Sequence, residues 1–298
     1  MGPPAESGVT ALRAGDFEFP LDRAHLLGIV NVNDDSFCGD GSLDLETILA
    51  HARRLLAEGA EILDVGGESA RTNRAAISET EEIGRVVPVL RALRNEFPAV
   101  PLSLNTWRAA VAEAGLEAGA SILDDISGLP SADHAKLAAR HGAALVIMHT
   151  QGEPKKSHRH VAYENVVAEM EAFFRNKLEL AAQSGLTQDR ILLDPGLDFA
   201  KQRDDNFRVL AALGRLARLG PPILLAASRK SFLGDELGGR PPLERDWATL
   251  AASMWALEHG ARFLRVHAVA MHADAIRLWS EAAGRGNFNF FASRPAMA

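Results

Sequence analysis

Cysteine occurs once in these 298 residues, at Cys38, so no disulfide can form within the chain. A zinc site built on several thiolates is excluded for the same reason. A lone thiol fits a reducing cytoplasm. Basic excess is also missing: 32 Lys and Arg stand against 39 Asp and Glu, a formal net charge of -7. A surface of that sign does not attract phosphate backbones, which argues against general nucleic-acid binding. No apolar run approaches the roughly 20 residues that a membrane-spanning helix needs. The opening Met1-Gly2-Pro3-Pro4-Ala5-Glu6 lacks the basic and apolar stretches of a secretory signal. Gly-rich Rossmann and P-loop fingerprints are absent too. With 47% hydrophobic and 24% charged residues, the chain is too apolar to be disordered. A soluble cytoplasmic protein is expected, with no membrane partner.

Short apolar runs recur along the whole chain. They begin at His25-Leu26-Leu27-Gly28-Ile29-Val30, Glu61-Ile62-Leu63-Asp64-Val65, Val100-Pro101-Leu102-Ser103-Leu104 and Ser121-Ile122-Leu123-Asp124. They continue as Ala144-Leu145-Val146-Ile147-Met148, Ile191-Leu192-Leu193-Asp194, Ile223-Leu224-Leu225-Ala226-Ala227 and Arg262-Phe263-Leu264-Arg265-Val266. Unbroken apolar runs suit strands covered on both faces, as in a parallel sheet. Helical patterns separate them: 43–58, 79–97, 107–118, 131–141 and 163–184. Four junctions, at Gly59, Gly119, Gly142 and Gly260, share a Gly-Ala step that reads as one turn used repeatedly.

Eight such units predict a single-domain (β/α)8 TIM barrel over 25–283. The main rival, a doubly wound open sheet, uses fewer strands. Residues 1–24 are expected to form a strap or short hairpin at the barrel bottom, and 284–298 a separate tail carrying Phe288, Phe290 and Phe291.

A barrel of this kind places its active site at the C-terminal ends of its strands. Those ends carry Asn31, Asp64, Asn105, Asp124, His149, Asp194, Ser228-Arg229-Lys230, Arg265 and His267. Nearly all are polar or ionisable. Asp124 and Asp194 suit the paired N–H donors of a guanidine-like heterocycle. Arg71, Lys230, Arg265 and His267 are cations of the kind that clamp phosphate or diphosphate. The plainer reading of Lys230 and Arg265 is a surface ion pair, and that of His149 a buried ring bonded to a backbone carbonyl. Asn31 could hold Mg²⁺ bridged to phosphate oxygens, or simply form an Asx turn. His158-Arg159-His160 has an H-x-H spacing, but no acidic cluster accompanies it, so a solvated loop is expected. A two-carboxylate glycosidase would leave the cations unexplained.

At these residues the chain resembles the dihydropteroate synthase family of pterin-binding barrels, from about residue 25 to residue 283. Gly28-Ile29-Val30-Asn31-Val32-Asn33-Asp34-Asp35-Ser36-Phe37 is similar to that family's first loop, and Asp64-Val65-Gly66-Gly67-Glu68-Ser69-Ala70-Arg71 to its second. Met148-His149-Thr150-Gln151-Gly152-Glu153-Pro154, Asp194-Pro195-Gly196, Ser228-Arg229-Lys230-Ser231-Phe232-Leu233-Gly234 and Arg265-Val266-His267 match further signatures in order.

The resemblance implies a transferase that condenses 6-hydroxymethyl-7,8-dihydropterin diphosphate with p-aminobenzoate and releases diphosphate, with Mg²⁺ as cofactor. It implies catalytic roles for Arg71, Lys230, Arg265 and His267, and pterin contacts from Asn105, Asp124, Asp194 and Lys230. Diphosphate would meet Asn31, Arg71, Arg265 and His267, with Asn31 on the metal. Ala70, Asp198, Phe199 and Ser231 would border the aminobenzoate pocket. A homodimer is implied as well, for which the Ala- and Leu-rich stretch 249–257 is a candidate face.

Departures from the family pattern cluster. Asn105 stands where Asp is usual and Asp124 where Asn is usual, an exchange of amide and carboxylate. Asn33-Asp34 replaces Thr-Pro, Ala70 replaces Thr, Thr72-Asn73 replaces Pro-Gly, Asp198 replaces Gly and Ala268 replaces Asp. These changes leave pterin and diphosphate recognition largely intact and alter the amine site, where Asp198 should repel a benzoate carboxylate. Three readings therefore stand at this point: a synthase with an atypical pocket, a pterin-binding paralogue with another nucleophile or a methyl-tetrahydrofolate-type substrate, and a non-catalytic pterin-binding protein.

Overall fold

Side chains alternate along a strand, so a strand with one face to helices and the other to a barrel interior buries both sets. The eight apolar runs do this in the computed structural model, which describes residues 8–34, 36, 38–70, 72–156 and 161–282. A two-stranded antiparallel hairpin, β1 (Ala11–Ala14) and β2 (Phe17–Pro20), comes first. The barrel strands follow: β3 (His25–Asn31), β4 (Ile62–Gly66), β5 (Leu102–Asn105), β6 (Ile122–Asp125), β7 (Ala144–Met148), β8 (Ile191–Asp194), β9 (Ile223–Leu225) and β10 (Ala261–Val266). They close in the order β10-β3-β4-β5-β6-β7-β8-β9, every pair parallel.

Helices α1 (Leu45–Glu58), α2 (Glu79–Glu96), α3 (Ala109–Glu117), α4 (Asp133–His141) and α5 (Val166–Gln183) connect the first six barrel strands. Between β8 and β9 lie α6 (Arg203–Ala211) and α7 (Leu213–Leu216). After β9 come α8 (Ser231–Glu236), α9 (Asp246–Glu258) and, beyond β10, α10 (Val269–Ala282). Helix starts follow side-chain capping, as at Asp44 for α1, Ser78 for α2 and Asn165 for α5. The four repeated Gly-Ala junctions all have left-handed glycines, with φ from 63° at Gly142 to 111° at Gly59. Several elements are shorter than the apolar patterns suggest: β9 stops at Leu225, and Ala226-Ala227 already lead into the loop.

The inward alternation sorts side chains by height. At the bottom, Leu27, Ile62, Ile122, Ala144, Val146, Leu192, Leu224 and Phe263 form a core together with Leu12, Ala14 and Phe19 of the hairpin. The hairpin thus plugs the N-terminal end of the barrel. His25 stacks on Phe263 at 4.8 Å, its ring nitrogens meeting Pro20 O at 2.8 Å and Glu61 at 3.1 Å, while Arg23 pairs with Glu61 through two 2.7 Å bonds. A larger cluster fills the shell between strands and helices. Higher up, one level of the strand register runs Asn31, Gly66, Asn105, Asp124 across four neighbouring strands. The sheet itself therefore delivers a polar row to the top.

Among the described residues no helix is long and apolar enough to cross a membrane. Residues 1–7, His158-Arg159-His160, Arg71 and the stretch 284–298 lie outside the described residues, so the readings of the loop, the arginine and the tail stay at the level of sequence.

Candidate active site

A cavity of about 540 Å³ opens at the C-terminal ends of the strands, a size that suits a bicyclic heterocycle and a second small ring. Its floor carries Asn105, Asp124, Asp194, Lys230 and Arg265. Asn31, Ala70, Asp198, Phe199, Ser231 and His267 also line it. The structure thus brings together every described residue expected to contact substrate.

The floor is a chain of hydrogen bonds. Ser103 Oγ donates to Asp64 Oδ1 at 2.5 Å, and Arg265 Nε donates to Asp64 Oδ2 at 2.7 Å. Arg265 lies 3.8 Å from Asp124 Oδ2, which also accepts from Asn105 Nδ2 at 2.7 Å. Asn105 and Asp124 are partners in the β5–β6 register, so the amide–carboxylate exchange keeps the same donor–acceptor pair across one strand contact. Asp124 Oδ1 is buried and has no hydrogen-bond partner among the described residues. Burial, then the Asp64 charge beside it, pushes the Asp124 carboxyl up to about 8, and Arg265 opposes the shift. Burial likewise raises Asp194, against the pull of Lys230. An unpartnered buried polar group costs roughly 1–3 kcal/mol, so this floor is built for a partner that arrives with a ligand.

Lys230 Nζ donates to Leu197 O at 2.7 Å and sits 4.8 Å from the Phe199 ring centroid. Burial lowers its pKa, while Asp194 and Asp198 act to raise it. This is no surface ion pair. Asn31 Nδ2 donates to Asp40 Oδ1 at 3.0 Å and reaches Ser36 Oγ at 3.4 Å. His267 Nδ1 lies 2.7 Å from Ser228 Oγ, and its Nε2 lies 3.5 Å from Asp40 Oδ2.

Some expectations need correcting. His267 was expected as a cation, but burial, reinforced by Arg229 and Arg265, drives its pKa to about 3, so the ring is neutral before a ligand arrives. His149 is buried, yet its Nδ1 has no hydrogen-bond partner among the described residues; the ring is packed edge-on to Phe173 at 4.9 Å and does not line the cavity. Arg229 turns away into a two-bond pair with Asp246 at 2.7 and 2.9 Å. Asp198 does not stand in the pocket as a bare charge: it accepts from the Ser231 hydroxyl at 2.8 Å and from the Ser231 and Phe232 amides.

Other functional residues were missed from sequence. Buried Lys201 donates to the carbonyls of His149, Gly196 and Phe199 at 3.1, 2.9 and 3.2 Å. Gly196 permits this crowding, since a Cβ there would meet His149 O at 2.0 Å. Lys155 donates to Ser69 O at 2.9 Å and pairs with Glu68 at 3.1 Å, joining the loop after β7 to the loop after β4. Glu68 is held in turn by Arg108 at 2.7 Å. The signal available for Lys155 and Lys201 was a lysine inside a recognisable loop motif, which names no partner.

Comparison with known proteins places the chain. Residues 27–267 match the pterin binding enzyme family. The dihydropteroate synthase of Synechocystis sp. is 38% identical over 258 residues, covering 86% of this chain and 89% of that one. Among solved structures, the Yersinia pestis dihydropteroate synthase in complex with a sulfonamide drug superposes with a TM-score of 0.86 at 35% identity, covering 93% and 100% of the two chains. The Xanthomonas albilineans dihydropteroate synthase in complex with 7,8-dihydropteroate does so with 0.80 at 34%, covering 92% and 98%. With a closed eight-stranded barrel and a polar floor of this make-up, the chain belongs to the pterin binding enzyme family.

Proposed function

We propose that this chain is a transferase that condenses 6-hydroxymethyl-7,8-dihydropterin diphosphate with p-aminobenzoate and releases diphosphate, a step of folate biosynthesis. The observation that carries this reading is the floor, where Asp124 and Asp194 share one cavity with Lys230 and Arg265. A pterin edge presents an amino group, ring N–H donors and ring acceptors, which the open Asp124 carboxyl and the Asp194 side chain meet. Asn105 and Lys230 supply donors for the ring's acceptors. The relatives named dihydropteroate synthase support the same reaction.

In the reaction the C–O bond from the pterin methylene to diphosphate breaks and a C–N bond to the amine forms, the amine proton passing to solvent or diphosphate. The ring nitrogen donates electrons to the methylene as the leaving group departs. Arg265 and, by sequence alone, Arg71 offset the charge that develops on diphosphate. An arriving polyanion beside His267 raises the affinity of its ring for a proton, so a neutral imidazole becomes a donor when it is needed. Aromatic amine nitrogen is already nucleophilic at neutral pH, so no strong base is required.

Mg²⁺ fits the chemistry of this site, where Asn31 would hold it. Among the described residues no three His, Cys, Asp or Glu side chains gather as a metal cage. Mg²⁺ retains water and substrate phosphate oxygens and takes few protein ligands. The Asn31 amide nitrogen is engaged by Asp40, which leaves its oxygen as the hard donor for that role. When bound, the ion neutralises diphosphate charge.

We further assign a cytoplasmic homodimer to the chain. On α9, Ala252, Ala256 and Leu257 pack inward, while Trp247 and Trp255 are its exposed large hydrophobic residues and the ones open to a second copy. The function is tested by diphosphate release from the dihydropterin diphosphate with Mg²⁺. Release that depends on p-aminobenzoate, with dihydropteroate formed, is expected. Pterin binding without that dependence would replace the reading with a paralogue that uses another acceptor.

A further inference from the structure

Four contacts fix the position of Asp198. Its backbone lies in the left-handed region, φ 65°, which few L residues adopt but Asp tolerates. Its amide donates to Asn206 Oδ1 at 2.8 Å, tying the residue to α6. Its carboxylate accepts from the Ser231 hydroxyl at 2.8 Å, from the Ser231 amide, and from the Phe232 amide at 3.3 Å. Asp198, Phe199 and Ser231 all line the cavity. Two buried lysines behind them have bonds of their own: Lys201 holds three carbonyls, and Lys230 gives one N–H to Leu197 O.

The second substrate of the proposed reaction is a ring with an amine at one end and a carboxylate at the other. Its amine must face the pterin on the floor, so its carboxylate faces outward along the wall that carries Asp198. The geometry points to Asp198 as the residue that sets acceptor selectivity, its fixed carboxylate occupying the Ser231 and Phe232 donors and lowering the preference for an aromatic amine with a para-carboxylate over one with a neutral para group. The inference rests on the proposed reaction and names the residue that weakens its selectivity for p-aminobenzoate. Like charges brought together in a partly desolvated wall oppose one another, and the Ser231 and Phe232 donors that would otherwise meet a substrate carboxylate are held by Asp198.

The test compares p-aminobenzoate with 4-aminobenzamide, which has the same shape and no charge. Each is measured with the intact chain and with Asp198→Asn and Asp198→Gly, by steady-state condensation and by calorimetric binding to protein loaded with the pterin diphosphate. Asn keeps the left-handed backbone and a hydrogen-bonding oxygen, so it separates charge from folding. In both variants the preference for p-aminobenzoate over the amide is expected to rise about tenfold, in kcat/KM and in affinity. A ratio that stays within about twofold in both variants overturns the assignment, whichever way the two acceptors move together. Turnover of neither amine by any variant defeats the proposed reaction; the calorimetric ratio then still decides the role of Asp198, and absence of binding by both amines defeats that too.

Discussion

The two ends of the barrel are made of the same eight strands and differ in how completely their polar groups are satisfied. At the bottom, His25, Glu61 and Arg23 answer one another, and the hairpin residues Leu12, Ala14 and Phe19 seal the interior. At the top, three buried carboxylates, Asp64, Asp124 and Asp194, crowd around Arg265 and Lys230, and Asp124 Oδ1 has no hydrogen-bond partner among the described residues. The bottom is finished when the chain folds, whereas the top is finished only when a ligand binds. Stability and chemistry therefore sit at opposite ends of one sheet.

Breaking the bottom should leave the top working. Phe19→Ala removes a buried ring from the plug and is expected to cost about 3–5 kcal/mol of folding stability, with the KM for the pterin diphosphate little changed. Urea denaturation and steady-state kinetics check both halves, and a large KM change would show that the ends are coupled.

Breaking the top should act the other way. Arg265→Ala is expected to lower kcat/KM for diphosphate release about 100-fold, roughly 2.7 kcal/mol of transition-state stabilisation at 1.36 kcal/mol per decade. Rates that stay within about threefold would remove Arg265 from the diphosphate site.

A third test sharpens the contrast through pH. The Asp124 carboxyl is raised from its ordinary 3.8 to about 8 in the folded chain, first by burial and then by Asp64. The folded state holds that proton more tightly than the unfolded one, so the contribution is full below about pH 4 and is lost as pH rises through about 8. Asp124→Asn is expected to flatten the fall in ligand-free stability across this window, read from urea midpoints at pH 5 and pH 8. An unchanged slope would place the strain elsewhere.

Much of the fold was legible because burial on both faces leaves a plain mark: eight apolar runs became eight strands, and the glycine junctions became left-handed turns. The floor was legible for a related reason, since the C-terminal ends of those runs point at Asn31, Asn105, Asp124, Asp194, Lys230 and Arg265 without any knowledge of loops. What stayed hidden depends on partners distant in sequence. Arg229 stands beside Lys230 at the same strand end, and nothing local reports that Asp246, on α9, takes it away. His267 reads as charged until its burial beside two arginines is known. Lys155 crosses from one loop to another, to Glu68, and no local pattern reports that reach. The exchange at Asn105 and Asp124 was visible in the sequence; that the two side chains are direct partners is visible only in the strand register.

The brace at Lys201 has an evolutionary consequence. Its ammonium grips main-chain oxygens of His149, Gly196 and Phe199, which every amino acid carries. Side chains in the 197–200 turn can therefore be replaced while the turn keeps its path and the floor beneath it its shape. Mutation can thus explore new second substrates one position at a time, without first dismantling the place where the original heterocycle binds.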